Sequence, residues 1–156
     1  MSHRVRIIVL SIIGIGIAGF VILQLIPASS ISAKFTTPGN PPVTYTIPWD
    51  SPQTEKLARS ACFDCHSNET RYPWYSNIAP VSWLVNHDIN EGRRKMNFST
   101  NTHLFSDDME KQIESGEMPK SVYLPLHPEA NLTAEQKKQL IDGLIATFGV
   151  DTFNGG

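Results

Sequence analysis

The chain has 156 residues, 13 Lys and Arg against 15 Asp and Glu, and a net charge of −2. That length suits one domain, and the charge balance leaves no basic face for nucleic acid. Two cysteines rule out a disulfide framework, and no GxxxxGK[ST], HExxH or GxSxG is present, which removes the common nucleotide-binding and hydrolase signatures.

Residues 7–26, IIVLSIIGIGIAGFVILQLI, carry no charge, and their only polar side chains are Ser11 and Gln24. A helix of this length spans about 30 Å, the thickness of a bilayer's hydrocarbon. Arg4 and Arg6 precede it and Lys34 is the first charge after it. The positive-inside rule therefore predicts a cytoplasmic N-terminus, with everything after residue 27 outside. A cleaved signal peptide would have a shorter apolar region and a clearer small-residue site than PASSISA offers. Residues 1–27 are accordingly read as a retained single-pass anchor. Pro27, Pro38, Pro41, Pro42 and Pro48 punctuate the next stretch, and residues 28–50 are read as a stiff, extended linker. Within it, VTYTI at 43–47 alternates in the manner of a short strand.

The folded domain is expected over 51–150, with a short tail at 151–156, and its class is all-α. The first helix starts at Ser51, with Pro52 in the first turn where its missing N–H costs nothing, and it carries Leu57, Ala58, Ala61 and Cys62 along one side. A second begins near Pro80, with Val81, Leu84, Val85 and Ile89 at helical spacing. A third runs from Ser106, with Asp107 and Asp108 favourable to its dipole and Gly116 as its left-handed stop. The last has Thr133 as cap, Gln136 completing a capping box, a stripe of Leu140, Ile141, Leu144, Ile145 and Phe148, and Gly149 at its end. Short helices and long loops at 66–79 and 117–132 leave a thin core. A large apolar ligand would supply the missing buried surface.

Cys62, Cys65 and His66 form C-x-x-C-H in ACFDCHSNET. Covalent haem attachment explains all three residues. Each thiol adds to one of two neighbouring vinyl groups, a single turn reaches both, and the adjacent histidine supplies the proximal iron ligand. A redox dithiol would normally open a helix in a thioredoxin-like alternation of strands and helices, which is absent. Zinc would need further ligands at paired spacing, and His87, His103 and His127 are scattered. For the sixth position of the iron, SGEMPKS offers Met118, a soft thioether pinned by Pro119. Met96 and Met109 are rivals, Met109 sharing a face with Ile113 as a core residue would. His87, His103 and His127 are the other candidates. Trp74, Tyr75 and Trp83 could pack on the cofactor, although ordinary core packing is the simpler reading. Arg93, Arg94 and Lys95 could pair with propionates, although a solvated helix end is simpler.

The order helix, CxxCH, Met-Pro loop, terminal helix resembles small class I c-type cytochromes. More specifically, WDSPQT, CFDCHSNET, YPWYSNIAPVSWLV, INEGRRKMNFS and GEMP…YLPLHPEANLT resemble the haem-binding domain of membrane-anchored bacterial c-type cytochromes, over about residues 37–148. The resemblance implies one covalently bound haem c and a location on the outer face of a bacterial cytoplasmic membrane. It supports Cys62, Cys65 and His66 as haem-binding residues and Met118 as the distal ligand. The expected role is single-electron transfer, not enzymatic turnover. Partners would be membrane redox complexes (a quinol-oxidising complex, a photosynthetic reaction centre or a terminal oxidase) or soluble carriers, with the bilayer contacted through residues 7–26. A gas or redox sensor and a peroxidase-like protein are the alternatives, each requiring an open sixth position.

Overall fold

The computed structural model describes residues 2–100 and 107–149, so the expectations placed on His103, Ser106 and the 151–156 tail lie outside the described residues. Among the described residues all regular structure is helical. Seven α-helices follow in order: α1 His3–Gln24, α2 Ala28–Ile31, α3 Pro52–Ala61, α4 Phe63–His66, α5 Val81–Lys95, α6 Asp107–Ser115 and α7 Ala134–Phe148. Four 3-10 turns stand between them, at Ala33–Phe35, Trp74–Asn77, Leu124–Leu126 and Pro128–Ala130. The chain divides into two compact units, Met1–Thr37 with Pro73–Asp88, and Pro38–Tyr72 with Ile89–Gly156.

In the first unit, α1 is apolar enough to cross a membrane, with a mean hydropathy of 2.6 over its best window and none of that window buried. It begins four residues earlier than the uncharged run, because Ser2 caps it through a hydrogen bond from the Val5 amide. At its other end the Gln24 amide is fully committed. Nε2 donates to the Ala79 carbonyl at 3.0 Å and Oε1 accepts from the Ala79 N–H at 3.0 Å. Phe35 stacks on Trp83 with centroids 6.3 Å apart, and the buried Asn86 amide donates to Phe35 O and Thr37 Oγ1. Trp74 is left 76% exposed, with Tyr75 edge-on to it.

The second unit is built on the crossing of α3 and α7. Both starts follow the sequence. Ser51 caps α3 and accepts from the Thr54 amide, and Thr133 and Gln136 complete the capping box of α7. Leu57 and Ala58 of α3 meet Leu140, Ile141 and Leu144 of α7 in one core with Phe63, Met96, Phe98, Ile113 and Leu132. The crossing is close because Gly143 has no side chain, and a Cβ there would collide with Thr54 Oγ1. Trp49 packs on this core with Phe63, Phe98 and Phe148 around it. The third predicted helix is α6, and Gly116 takes a positive φ of 79° just past it.

Two expectations change. VTYTI forms no strand: the amides of Thr44 and Tyr45 both donate to the Ser99 carbonyl, at 2.9 and 3.0 Å. Neighbouring strand residues point their amides to opposite sides, so convergence on one acceptor is incompatible with a ladder. In α5, Val81 and Leu84 are exposed while Asn86, Ile89 and Gly92 are buried. The helix follows the predicted period, but in the first unit its Asn86 turns inward to bind the Phe35 carbonyl, and in the second its Gly92 lies against the Cys65 carbonyl.

Candidate functional site

The turn carrying Cys62, Cys65 and His66 sits at the end of α3. Cys62 leaves the helical conformation, at φ −123° and ψ −35°, ending α3 and opening the single turn α4. The Cys65 and His66 amides both return to the Cys62 carbonyl, at 3.2 and 2.9 Å. Phe63 points from this turn into the core, stacked on Phe98 at 5.1 Å.

Neither cysteine is in a disulfide. Burial, with a smaller effect of the neighbouring Cys65, pushes the Cys62 thiol up from 9.0 to about 12. It is therefore protonated at neutral pH, the reverse of the stabilised thiolate that a redox dithiol needs. Among the described residues no three His, Cys, Asp or Glu side chains gather into a metal nest, so the further ligands zinc would require are not assembled.

His66 is held by its backbone-facing nitrogen. Nδ1 lies 3.1 Å from the Gly92 carbonyl and 3.3 Å from the Met96 carbonyl. With two acceptors in reach, Nδ1 carries the proton and Nε2 keeps its lone pair. This is how a ligating imidazole is fixed in tautomer and orientation. Burial lowers the His66 pKa from 6.5, and the Lys95 and Lys120 ammonium groups act the same way, against the two carbonyls. The ring is thus neutral near pH 7. The Lys120 effect also brings the segment two residues past Met118 into electrostatic range of the imidazole.

Gly92 was not singled out by sequence reasoning, yet it shapes this site. A Cβ at Gly92 would collide with the Cys65 carbonyl, and its own carbonyl receives His66. An isolated glycine inside an otherwise helical run, INEGRRK, is the signal for such close packing. Arg93, considered as a propionate partner or a solvated residue, is engaged within the chain. Nε donates to Ser67 O and Nη1 to Gly39 O, both at 2.7 Å, and Nη2 reaches Asn40 Oδ1 and Thr70 Oγ1, both at 2.9 Å. Its fork spans two loops and fixes the chain just after His66. Arg94 is exposed and pairs with Glu91 at 2.6 Å.

Loop 117–132 is tied to the same turn. Tyr123, also not singled out, donates its hydroxyl to Asp64 Oδ2 at 2.7 Å, and Asp64 is the residue between Phe63 and Cys65. Burial and then the Asp64 carboxylate hold the Tyr123 phenol well above its usual range. The Tyr123 ring lies flat on the His127 ring, centroids 3.8 Å apart and planes within 6°. Met118 is half-buried at the start of this loop, its amide donating to Gln112 O at 3.0 Å, and the bond to Pro119 is cis.

Of the other ligand candidates, Met96 is buried in the core and Met109 packs against it with Ile113. His87 lies edge-on to Phe35, with Nδ1 3.3 Å from Asp88 Oδ1. His127 is occupied by Tyr123 and lies 3.4 Å from Glu129 Oε1. Trp83 is engaged with Phe35.

The donor set therefore suits a haem: two thiols bracketing one turn, a neutral imidazole with Nε2 unprotonated, and a glycine that lets a helix approach them. Among known families, a model described as Haem-binding domain matches residues 18–146. No curated protein and no solved structure matches the chain.

Proposed function

The chain belongs to the haem-binding domain family, and from that premise we propose that it is a membrane-anchored, mono-haem c-type cytochrome that carries single electrons on the outer face of a bacterial cytoplasmic membrane. In this reading Cys62 and Cys65 hold one haem c as thioethers, His66 Nε2 is the proximal ligand and Met118 the distal one. The observation that carries it is the pairing of His66 Nδ1 with the Gly92 and Met96 carbonyls, beside two thiols spaced by one turn.

The bound haem supplies a one-electron couple. The chain's own residues supply the rest. Burial keeps Cys62 neutral until it is consumed in attachment. Gly92 and Met96 fix the imidazole tautomer, and Arg93 and Asn68 hold the backbone after His66. The Asn68 amide donates to Pro42 O at 3.0 Å, and its N–H donates to Ser99 Oγ at 2.9 Å. Met118 is supported as distal ligand because the other methionines described are core residues and His87 and His127 are engaged with neighbours. Electron transfer favours such a rigid, fully ligated iron, since sensing or peroxidase chemistry requires an open position. Membrane redox complexes or soluble carriers would be the donors and acceptors, and α1 would keep the domain near the bilayer.

The test is the electronic spectrum of full-length protein from a maturation-competent host. We expect a Soret band that persists after denaturation and acid–acetone extraction, and a weak far-red sulfur-to-iron band in the ferric state. Met118→Ala should abolish the far-red band and make the ferrous form bind CO. Haem lost on extraction sinks the covalent assignment, and a far-red band surviving in Met118→Ala sinks the distal one.

A further inference from the structure

Beyond α1, the large apolar side chains left exposed gather in the first unit. Leu25, Ile26 and Ile31 follow the end of α1, and Trp74, Val81 and Leu84 belong to the segment Pro73–Asp88. The second unit has far more described residues, yet it leaves only Val43, Val122 and Leu126 exposed, scattered singly as on any soluble surface. Val81 is 44% exposed and Leu84 50%, and their i, i+3 spacing sets both on one face of α5, opposite the buried Asn86. Charge is shared just as unevenly. Residues 28–37 and 73–88 hold only Lys34 and Asp88, and every other Asp, Glu, Lys or Arg after α1 belongs to the second unit.

The level of this surface is set by α1. Gln24, in the last turn of α1, is hydrogen-bonded twice to Ala79, so Ala79 sits where the uncharged run ends. Two residues of chain put Val81 within about 7 Å of Ala79, and Leu84 follows one turn later. In the anchored arrangement proposed above, the end of α1 marks the boundary between hydrocarbon and headgroups, a layer roughly 5–8 Å thick on each side of a bilayer. The backbone here is closed on itself, as contact with an apolar medium demands. Ala79 is paired with Gln24, and Pro73 and Pro80 have no N–H to satisfy. The Ser76 and Ile78 amides donate to Pro73 O and Tyr75 O, and those of Ser82 and Trp83 to Ile78 O and Pro80 O. The exposed Trp74, with Tyr75 edge-on to it, supplies the amphipathic aromatics that favour the interfacial layer. A protein partner would call for a polar rim, whereas this surface continues without charge into the end of α1.

We propose that this face of the first unit is seated in the outer interfacial layer of the bilayer, with Val81 and Leu84 against the upper acyl chains and Trp74 at headgroup depth. The chain then meets the membrane through a second segment, 73–84, besides α1. The inference rests on the membrane-anchored reading but not on how the haem is ligated.

The experiment is photolabelling of the full-length protein in vesicles of phosphatidylethanolamine and phosphatidylglycerol. A small share of the lipid carries an aryl diazirine high on one acyl chain, whose carbene inserts into any side chain it meets. Trypsin cleavage after Arg6 and Lys34 isolates residues 7–34, and cleavage after Arg71 and Arg93 isolates residues 72–93. Mass spectrometry should find lipid adducts on both peptides, those of the second mapping to residues 74–84. Val81→Glu with Leu84→Glu alters two exposed positions, where substitution is mild. It should lose the adducts on 72–93, keep those on 7–34 and leave the circular dichroism unchanged. Trp74→Glu repeats the test away from α5, with the same loss expected at residue 74. Adducts on 7–34 with none on 72–93 overturn the proposal and leave the anchor standing. So do adducts on 72–93 that persist undiminished in the folded double variant. A cross-linked dimer whose 72–93 peptide stays unlabelled assigns the face to a second copy instead. An absence of adducts on 7–34 sinks the membrane-anchored reading itself.

Discussion

The carbonyl of Cys65 occupies the place where a side chain on Gly92 would begin, and the Gly92 carbonyl in turn holds His66. One residue thus sets both the approach of α5 to the thiol-bearing turn and the tautomer of the imidazole. Gly92→Ala should be disruptive although alanine is the better helix former. The added methyl must move backbone, at a cost of roughly 1–3 kcal/mol for overpacking. It should lower the melting temperature and the yield of haem-loaded protein together, read by circular dichroism and by Soret absorbance per chain. Unchanged haem loading would show that α5 does not template the turn. The proposed roles of Cys62, Cys65 and His66 rest on their spacing, which suits the neighbouring vinyl groups of a porphyrin. Gly92 was less legible: a glycine's meaning lies in what approaches it, and Cys65 is 27 positions away in sequence. Arg93 misled for a related reason. A cation in the last turn of a helix normally faces water, and only the fold shows four acceptors from two loops meeting its fork.

Helix starts and stops lie on the local link of the chain of causes, and they were readable. Ser51 with Pro52, Thr133 with Gln136, and Gly116 and Gly149 all act where their chemistry places them. Contacts between elements were not readable, since they depend on loops whose course no periodicity encodes. Loop 117–132 is the instructive case, because it carries Met118 and is fastened by Tyr123 to Asp64 inside the thiol-bearing turn. Tyr123→Phe keeps the ring that stacks on His127 and removes only the hydroxyl. Losing a hydrogen bond to a carboxylate should cost about 1.5 kcal/mol. Asp64 Oδ1 would still accept from the Arg71 amide at 3.0 Å, which limits the damage to the turn itself. If the latch holds Met118 in place, the far-red ferric band should disappear at lower temperature than in wild type and the midpoint potential should fall. A lower melting temperature with band and potential unchanged would assign Tyr123 to stability and leave the methionine loop to other contacts.

At the scale of the whole chain, placement relative to the bilayer and cofactor attachment are one problem, because thioether formation is expected outside the cytoplasm. The helix α1 has the length and apolarity to span, but helices carry no sign of direction apart from their flanking charges. Here Arg4 and Arg6, in the first turn of α1, are the only Lys or Arg before its uncharged run, and the remaining 11 basic residues face 15 acidic ones after it, a net charge near −4. The long following segment is therefore no strong counterweight to two N-terminal arginines. Replacing both (Arg4→Glu with Arg6→Glu) removes the inside bias without touching α1's apolar surface or either compact unit's packing. The double variant should accumulate with a smaller fraction of haem-stained chains at equal antibody signal, and a protease added to spheroplasts should degrade less of it. Should haem staining and protease access both stay at wild-type levels, the arginines do not set the orientation. The long apolar run alone would then have to direct the chain outward.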